Sequence, residues 1–381
     1  MDSFCTIVNT KYLPQAQILI NTFRREYPDH RFVTLITDIE TIDFEFLVGS
    51  EIVTLKCLDI DDKKIQNMRL IYDVVEFATA MKPHLLMHLL RDSVTATYLD
   101  PDIVVFSRLD FATSMAKEFG VAITPHRLTP STQLNFGITE LSFLRYGAFN
   151  LGFISVGTKG YPMLRWWSER LELYSTRFPN GVVFTDQKWI DLVPSFFDHY
   201  IVKDPGYNFA PWNIDERNLI KSEGCYFIDS SPLVFVHFSQ MSGELAKGLW
   251  PDHWLSNFND STIKSHRIDL IHEITDLYRR ELLREKARFG QLAHLGAASE
   301  GEFAPWTKRQ KQIEEIRMGK SIKIRHSTPS YFFNRLQKLL LRSSLVIGAH
   351  QGLREDLKRL RARSRRRKSV PAATGGTKSD F

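Results

Sequence analysis

Two aspartates separated by one proline form the sharpest chemical signal in the sequence. Asp100 and Asp102 follow TATYL, an apolar run that is typical of a buried strand. In extended backbone, residues i and i+2 point to the same side, and Pro101 biases Asp100 towards that conformation. Two carboxylates that face one point suit Mg²⁺ or Mn²⁺, hard cations that can carry a diphosphate. The alternative is a plain surface turn whose aspartates cap backbone amides.

A histidine far downstream could join the two carboxylates. His237 ends the apolar run PLVFV and is followed by Ser239, Gly243, Lys247 and Trp250. A strand-end imidazole, a glycine that permits close backbone approach and a nearby lysine together predict one wall of a metal-diphosphate pocket. A histidine in this position can also be a satisfied structural residue, and that alternative stays open.

A third group of polar residues interrupts apolar sequence. Asn150 and Gly152 lie in a predicted strand otherwise made of Phe, Leu and Ile, and Asp186-Gln187 opens a later helix. Asn and Gly weaken a strand unless a ligand or another backbone approaches closely there. Taken singly, a bulge at Gly152 and a helix N-cap at Asp186 are the simpler interpretations.

The elements around these residues predict an open α/β sheet. A strand over 4–8, a helix over 14–26 and a strand over 31–37 form a βαβ start, and the Asp100-Asp102 break lies just past a strand's carboxyl end, where such sheets bind ligands. The pattern predicts further strands over 51–55, 120–124 and 149–157, and helices over 67–80, 83–91, 160–175 and 186–197. From about residue 252 the sequence changes to charged helices, and 331–361 has an amphipathic helical pattern.

Composition excludes several classes of protein. The chain has 381 residues, of which 43% are hydrophobic, enough for a sizeable core, so wholesale disorder and a collagenous fibre are excluded. Three scattered cysteines give no disulfide framework and indicate a reducing compartment. The N-terminus lacks the basic region of a signal peptide, and no apolar stretch is long enough to span a bilayer, so we expect a cytoplasmic protein.

The net charge of +6 belongs to one segment. The segment from Arg354 to Lys368 contains nine Lys or Arg residues and only two acidic residues, Glu355 and Asp356. The net charge of the rest of the chain is therefore close to zero. Binding to an anionic surface is therefore a property of the tail, and nucleic-acid binding by the body is not expected. The leucine-rich pattern before the basic run predicts a helix that docks peripherally on the inner face of a membrane, or else a solvated tail.

In their order along the chain, these motifs resemble the nucleotide-sugar glycosyltransferases with a GT-A fold. The layout is similar to the glycogenin and galactosyltransferase-like family 8 enzymes, and the phrases YLDPDIVVF, FNLGF and TDQKWIDLVP are similar to bacterial surface-polysaccharide glycosyltransferases. The resemblance implies a Rossmann-like α/β domain with a mixed central sheet over 1–255. It leaves a helical C-terminal extension over 256–361 and a basic tail over 362–381.

The resemblance also implies roles for individual residues. It implies a Mn²⁺ or Mg²⁺ cofactor bound by Asp100, Asp102 and His237. The residues implied to bind the donor are Asn9, Thr10, Tyr12, Lys82, Asn150 and Lys247, and those implied near the reacting carbon are Asp186 and Gln187. The sequence departs from the family where Lys247-Gly-Leu-Trp250 replaces a Lys-Pro-Trp and where the preceding glycine is displaced, which puts the phosphate contact of Lys247 in question.

The implied activity is transfer of a hexose, with retention, from a nucleoside-diphosphate donor such as UDP-sugar to a saccharide or lipid-linked acceptor in surface-polysaccharide synthesis. Two other functions fit parts of the sequence. Asp100-Pro-Asp102-Ile-Val104 also matches a haloacid-dehalogenase-type phosphatase, although the Asp61-Asp62 pair that could bind its Mg²⁺ lies upstream. The second alternative is a non-enzymatic protein that binds membranes or anions through its tail.

Overall fold

The fold is built on strands and helices that alternate along the chain. A computed structural model describes residues 1–40, 46–131, 140–177, 182–239, 241, 265–290 and 306–319, all within the unit Met1–Ile322. The described strands are β1 (Asp2–Val8), β2 (Arg31–Ile36), β3 (Glu51–Thr54), β4 (Thr95–Leu99), β5 (Ile103–Val105), β6 (Val121–Pro125), β7 (Phe149–Gly157), β8 (Tyr200–Ile201), β9 (Leu219–Ser222), β10 (Cys225–Ile228), β11 (Ser231–Pro232) and β12 (Phe235–His237).

The described helices are α1 (Leu13–Glu26), α2 (Asp62–Ile71), α3 (Val74–Ala80), α4 (Lys82–Leu89), α5 (Asp110–Phe119), α6 (Glu140–Tyr146), α7 (Tyr161–Tyr174), α8 (Gln187–Ile190), α9 (Val193–Phe196), α10 (Ser265–Phe289) and α11 (Trp306–Arg317). None of them combines the length and the apolar character needed to cross a membrane.

A seven-stranded mixed sheet forms the centre of the fold, in the order β3-β2-β1-β4-β7-β6-β8. Strands β3, β2, β1 and β4 run parallel, and β7 runs antiparallel to both β4 and β6. The carboxyl ends of β1, β2, β4 and β6 therefore meet the amino end of β7 at one edge. This arrangement confirms the α/β fold with a mixed central sheet predicted from the sequence.

The first βαβ unit shows why this sequence folds as predicted. Six of the seven residues of strand β1 are buried, and Pro14 lies in the first turn of α1, where a missing N–H costs nothing. The apolar face of α1 packs on the sheet, with the Phe4 and Phe23 rings 4.7 Å apart. Burial of each such side chain contributes about 1.5–3 kcal/mol to folding.

A short two-stranded ribbon brings a distant part of the chain to the end of β4. Strand β5 follows the Asp100-Asp102 turn and pairs antiparallel with β12, so that Ile103 lies opposite His237. The Phe238 amide then donates to the Asp102 carbonyl at 2.9 Å. This pairing fixes His237, 135 positions downstream of Asp102, next to it.

Several element boundaries differ from the sequence predictions. The helix expected over 67–80 is two helices, because Asp73 leaves the helical conformation and caps α3 in a reciprocal capping box with Glu76. The helix expected over 186–197 is divided into α8 and α9, with Pro194 in the first turn of the second. Helix α6 and strand β9 were not predicted.

Helix α10 belongs to the same unit as the sheet. Its Ile271, Ile274 and Tyr278 are buried in a cluster with Ile18 of α1, and the Tyr278 ring stacks on Phe238 with centroids 4.1 Å apart. The predicted domain boundary at 255/256, the amphipathic segment 331–361 and the basic tail 362–381 lie outside the described residues.

Candidate metal and sugar-nucleotide site

The structure brings Asp100, Asp102 and His237 together at the carboxyl end of β4. One ligand atom from each residue lies within 4.8 Å of the others. The His237 Nε2 is 3.1 Å from Asp102 Oδ1 and 3.7 Å from Asp100 Oδ2. His237 is buried, whereas the two carboxylates are about a quarter exposed (26% and 24%), so the cluster is open to a ligand on the aspartate side.

The imidazole of His237 is oriented by the strand that faces it. Its Nδ1 lies 3.0 Å from Asn150 Oδ1, and an N–H there directs the Nε2 lone pair towards the carboxylates. Gly152 makes room for the ring, because a Cβ at this position would lie 2.4 Å from His237 Cε1. The Trp212 ring meets the imidazole edge-on at 5.2 Å. The interrupted strand FNLGF thus supports the histidine, a role that the sequence analysis did not predict.

A buried ammonium group lies behind the aspartates. Lys82 is 2% exposed, and its Nζ lies 3.0 Å from Asp186 Oδ2 and 3.4 Å from Asp100 Oδ1. It also donates to the Leu151 carbonyl at 2.7 Å. Burial alone would lower the pKa of Lys82, but attraction to Asp100 and Asp186 outweighs it and raises the pKa. The lysine is therefore a fixed positive charge next to the Asp100-Asp102 turn.

The resemblance places Asp186 and Gln187 near the reacting carbon. Asp186 lies next to Lys82, and Gln187 lies next to the amino end of β7. Asp186 is 1% exposed, and burial raises the pKa of its carboxyl although Lys82 opposes the shift. Gln187 Oε1 accepts from the Leu151 amide at 3.1 Å and its Nε2 donates to the Tyr146 carbonyl at 2.9 Å. Gln187 thus holds the amino end of β7 in place.

The predicted base and ribose contacts lie past the end of β1, on the same sheet edge. Asn9 Oδ1 accepts from the Lys11 amide at 3.1 Å. Thr10 donates from its amide and its hydroxyl to the Asp38 carboxylate, at 3.0 and 2.7 Å. Tyr12 follows in the same turn and is 37% exposed. Lys247 lies outside the described residues.

Three residues of the site were not singled out from the sequence. The Tyr98 hydroxyl donates to Asp100 Oδ1 at 2.6 Å, and its ring lies 4.5 Å below the Lys82 ammonium. Asp38 follows β2 and orients Thr10, and Trp212 comes from a long loop. Tyr98 could have been found by its place two residues before Asp100, whereas nothing local marks Trp212.

The three ligand residues fit a divalent cation of the Mg²⁺ or Mn²⁺ class. Two carboxylates supply hard oxygen donors, the imidazole supplies a nitrogen that Mn²⁺ accepts, and Asn150 provides the supporting hydrogen bond that ligating histidines require. Attraction to Asp102 raises the pKa of His237 despite its burial, which reports an environment that favours positive charge at this point. Asp61, which the phosphatase interpretation needs for Mg²⁺, instead caps α2 by accepting from the Lys63 amide.

No family model matches the chain. Among known proteins, the uncharacterized protein YfnD of Bacillus subtilis (strain 168) is 25% identical over 247 residues, which cover 62% of this chain and 76% of YfnD.

Similar solved structures include the galactosyltransferase LgtC in complex with donor and acceptor sugar analogues, at 14% identity and a TM-score of 0.41, covering 68% of this chain and all of LgtC. The glycosyltransferase GlyE of Streptococcus pneumoniae TIGR4 is 16% identical with a TM-score of 0.39, covering 63% of this chain and 56% of GlyE. A glycosyltransferase that acts in glycosylation of the major capsid of PBCV-1 is 9% identical with a TM-score of 0.36, covering 65% of this chain and 98% of that one. These three proteins are glycosyltransferases, the class that the sequence resembles.

Proposed function

We propose that the protein is a metal-dependent glycosyltransferase that moves a hexose from a nucleoside-diphosphate donor to a saccharide or lipid-linked acceptor. One observation carries the proposal: Asp100, Asp102 and His237 converge within 4.8 Å at the carboxyl end of a central strand, beside a buried lysine. This edge of an α/β sheet is where such folds bind ligands, and the donor set suits a cation that carries a diphosphate.

Each residue of the site has a task in this reaction. The bond from the sugar carbon to the diphosphate breaks and its electrons stay on the phosphate oxygen, while the acceptor hydroxyl oxygen bonds to the carbon and releases its proton to solvent. A divalent cation held by the three ligands would neutralise the charge of the departing diphosphate. Lys82 pairs with Asp100 and Asp186 and holds both carboxylates in place. Gln187 and Asn150 form the wall that faces the sugar.

The finer points of the proposal rest on the sequence resemblance. These are UDP as the nucleotide, retention at the sugar carbon, Mn²⁺ as the ion, surface-polysaccharide synthesis and a cytoplasmic location. Asn9, Thr10 and Tyr12 would contact the base and ribose, since they follow β1 on the same edge of the sheet as Asp100. Lys247 and the membrane-docking tail are proposed from sequence alone.

A thermal-shift panel tests the site first. UDP, GDP, CMP and ADP are each added with and without Mn²⁺, because a ligand that binds only the native state raises the melting temperature by mass action. We expect one nucleoside diphosphate to stabilise the protein only when the metal is present. The absence of any metal-dependent shift would remove the basis of the proposal.

Two single substitutions test the ligands. We expect Asp102→Asn and His237→Ala each to abolish the Mn²⁺-dependent shift and turnover of the nucleotide-sugar, since each removes a ligand atom from the cluster. Asp59→Asn is the matched control, because Asp59 forms an exposed pair with Arg91, with a side chain 87% exposed. Circular dichroism verifies that the variants fold. Full metal-dependent activity in both ligand variants would refute the assignment.

A further inference from the structure

A cavity of about 310 Å³ lies at the same sheet edge, on the outer side of β7 and β6. Most of its lining residues are apolar, among them Leu128, Phe143 and Phe149. Its volume is at the lower end of the range of small-molecule sites, and mainly apolar walls are typical of such sites. The residues assigned above to the metal, donor and catalytic positions do not line it.

Two chains of contacts connect the cavity with the metal cluster. Phe149 lines the cavity, and the next residue, Asn150, bonds to His237. On the second route, the Phe143 ring stacks on His126 at 5.2 Å, and His126 meets Trp212 at 5.1 Å. Trp212 in turn contacts His237, so a continuous series of packed side chains joins the cavity wall to the metal cluster.

The apolar surface of the cavity continues onto α6. This helix contributes Phe143 to the cavity and buries none of its residues. Leu141 and Leu144, one turn apart on it, are 72% and 70% exposed. The helix is held to the site, because Gln187 and Lys188 donate to the Tyr146 and Leu144 carbonyls.

The charged groups of the cavity are committed mainly to protein partners. Arg127 forms a two-pronged pair with Asp215, at 2.6 and 3.0 Å, and Glu140 accepts from the Ser131 amide. Lys203 lies at the exposed rim. The interior therefore selects a ligand by apolar contact and not by charge.

We propose that this cavity receives the hydrocarbon chain of an amphiphilic acceptor, with the saccharide end directed towards Asn150 and His237. The inference rests on the proposed function and narrows its acceptor to a lipid-linked saccharide. A partly open, mainly apolar cavity, lined in part by a helix that also carries two exposed leucines, suits a flexible chain longer than the cavity itself. A small polar saccharide would leave these surfaces without a role.

Binding of n-alkyl glucosides to the full-length protein tests the proposal without nucleotide or metal. Methyl, butyl, hexyl and octyl glucoside are titrated calorimetrically below their micellar concentrations. We expect affinity to rise about fourfold per added methylene, as burial of each CH₂ predicts. Ala148→Trp fills the cavity from a residue that lines it and should remove this dependence, whereas Ala148→Ser should preserve it.

A second matched pair tests the exposed helix. Leu144→Ser should weaken octyl glucoside binding severalfold, whereas Leu283→Ser on α10, where the leucine is 47% exposed, should not. Affinity that is independent of chain length, or chain dependence that survives in Ala148→Trp, overturns the proposal. Self-association that Leu144→Ser disrupts would also overturn it, by assigning the face to a second copy. The thermal-shift panel on the same variants reports separately on the proposed function.

Discussion

Two clusters of buried charge lie six residues apart along the chain and differ in how their carboxylates are used. In the first, Glu76 is 1% exposed, and both of its oxygens accept hydrogen bonds. Oε2 meets the Asp73 amide and the Arg309 guanidinium, and Oε1 meets the Arg177 amide. This Glu76 cluster joins α3, α11 and the end of the segment after α7.

The second cluster surrounds Lys82. Its ammonium group is buried among protein partners, whereas two of its carboxylates remain partly exposed. The ammonium is fully enclosed by Asp186, Asp100 and the Leu151 carbonyl, but Asp100 and Asp102 are each about a quarter exposed. Their oxygens converge with a histidine nitrogen on one point. Burial of charge is common to both clusters and does not tell them apart. What distinguishes the candidate site is a set of donors that converge from an open side.

The largest expected effect is a loss of folding stability when the Glu76 cluster is mutated. We expect Glu76→Ala to destabilise the protein by about 3–5 kcal/mol, because it leaves Arg309 and two amides without their carboxylate in a buried place. Chemical denaturation measures the loss. Mn²⁺ affinity at the Lys82 site should stay unchanged under native conditions.

An exposed ion pair supplies the control for that prediction. Glu51 pairs with Arg31 at 2.9 Å, and its side chain is 47% exposed. Glu51→Ala should therefore cost less than about 1 kcal/mol. Equal losses of unfolding free energy in the two variants would contradict the distinction between a buried, hydrogen-bonded carboxylate and an exposed one.

An effect of intermediate size on Mn²⁺ affinity is expected at Gly152, which leaves space for the His237 ring. We expect Gly152→Ala to lower Mn²⁺ affinity 10- to 100-fold, because the new Cβ would push the His237 ring out of line with the carboxylates. Mn²⁺ titration followed by electron paramagnetic resonance measures this. In a His237→Ala background the same substitution should have little further effect, and an undiminished loss there would show that the glycine acts elsewhere.

Much of the fold could be predicted because its signals are local. The buried run of β1, the proline at the start of α1 and the break before Pro83 each act within a few residues. The division of the helix at Asp73 was missed, although the spacing of Asp73 and Glu76 is that of a capping box. The contacts of this box with Arg177 and Arg309, both about a hundred residues or more away, are visible only in the folded structure.

The candidate site divides in the same way. Asp100 and Asp102 were identified because spacing in a strand fixes their direction, and His237 because it ends an apolar strand. Trp212 lies in a loop whose position depends on pairs such as Arg127 with Asp215. Lys82 was placed near the donor by resemblance only. Its burial between two carboxylates is visible only in the folded structure.

The smallest predicted effect tests whether Mn²⁺ affinity depends on the orientation of the His237 imidazole when the imidazole itself is kept. Asn150→Ala removes the acceptor for His237 Nδ1 and should lower Mn²⁺ affinity about tenfold, a loss typical of a missing supporting hydrogen bond. Asn150→Asp keeps an acceptor at the same place and should lose less than the alanine variant. If both variants bind Mn²⁺ as the natural protein does, the metal does not depend on His237 being held. The carboxylates of Asp100 and Asp102 would then bind the metal without an imidazole held in a fixed orientation.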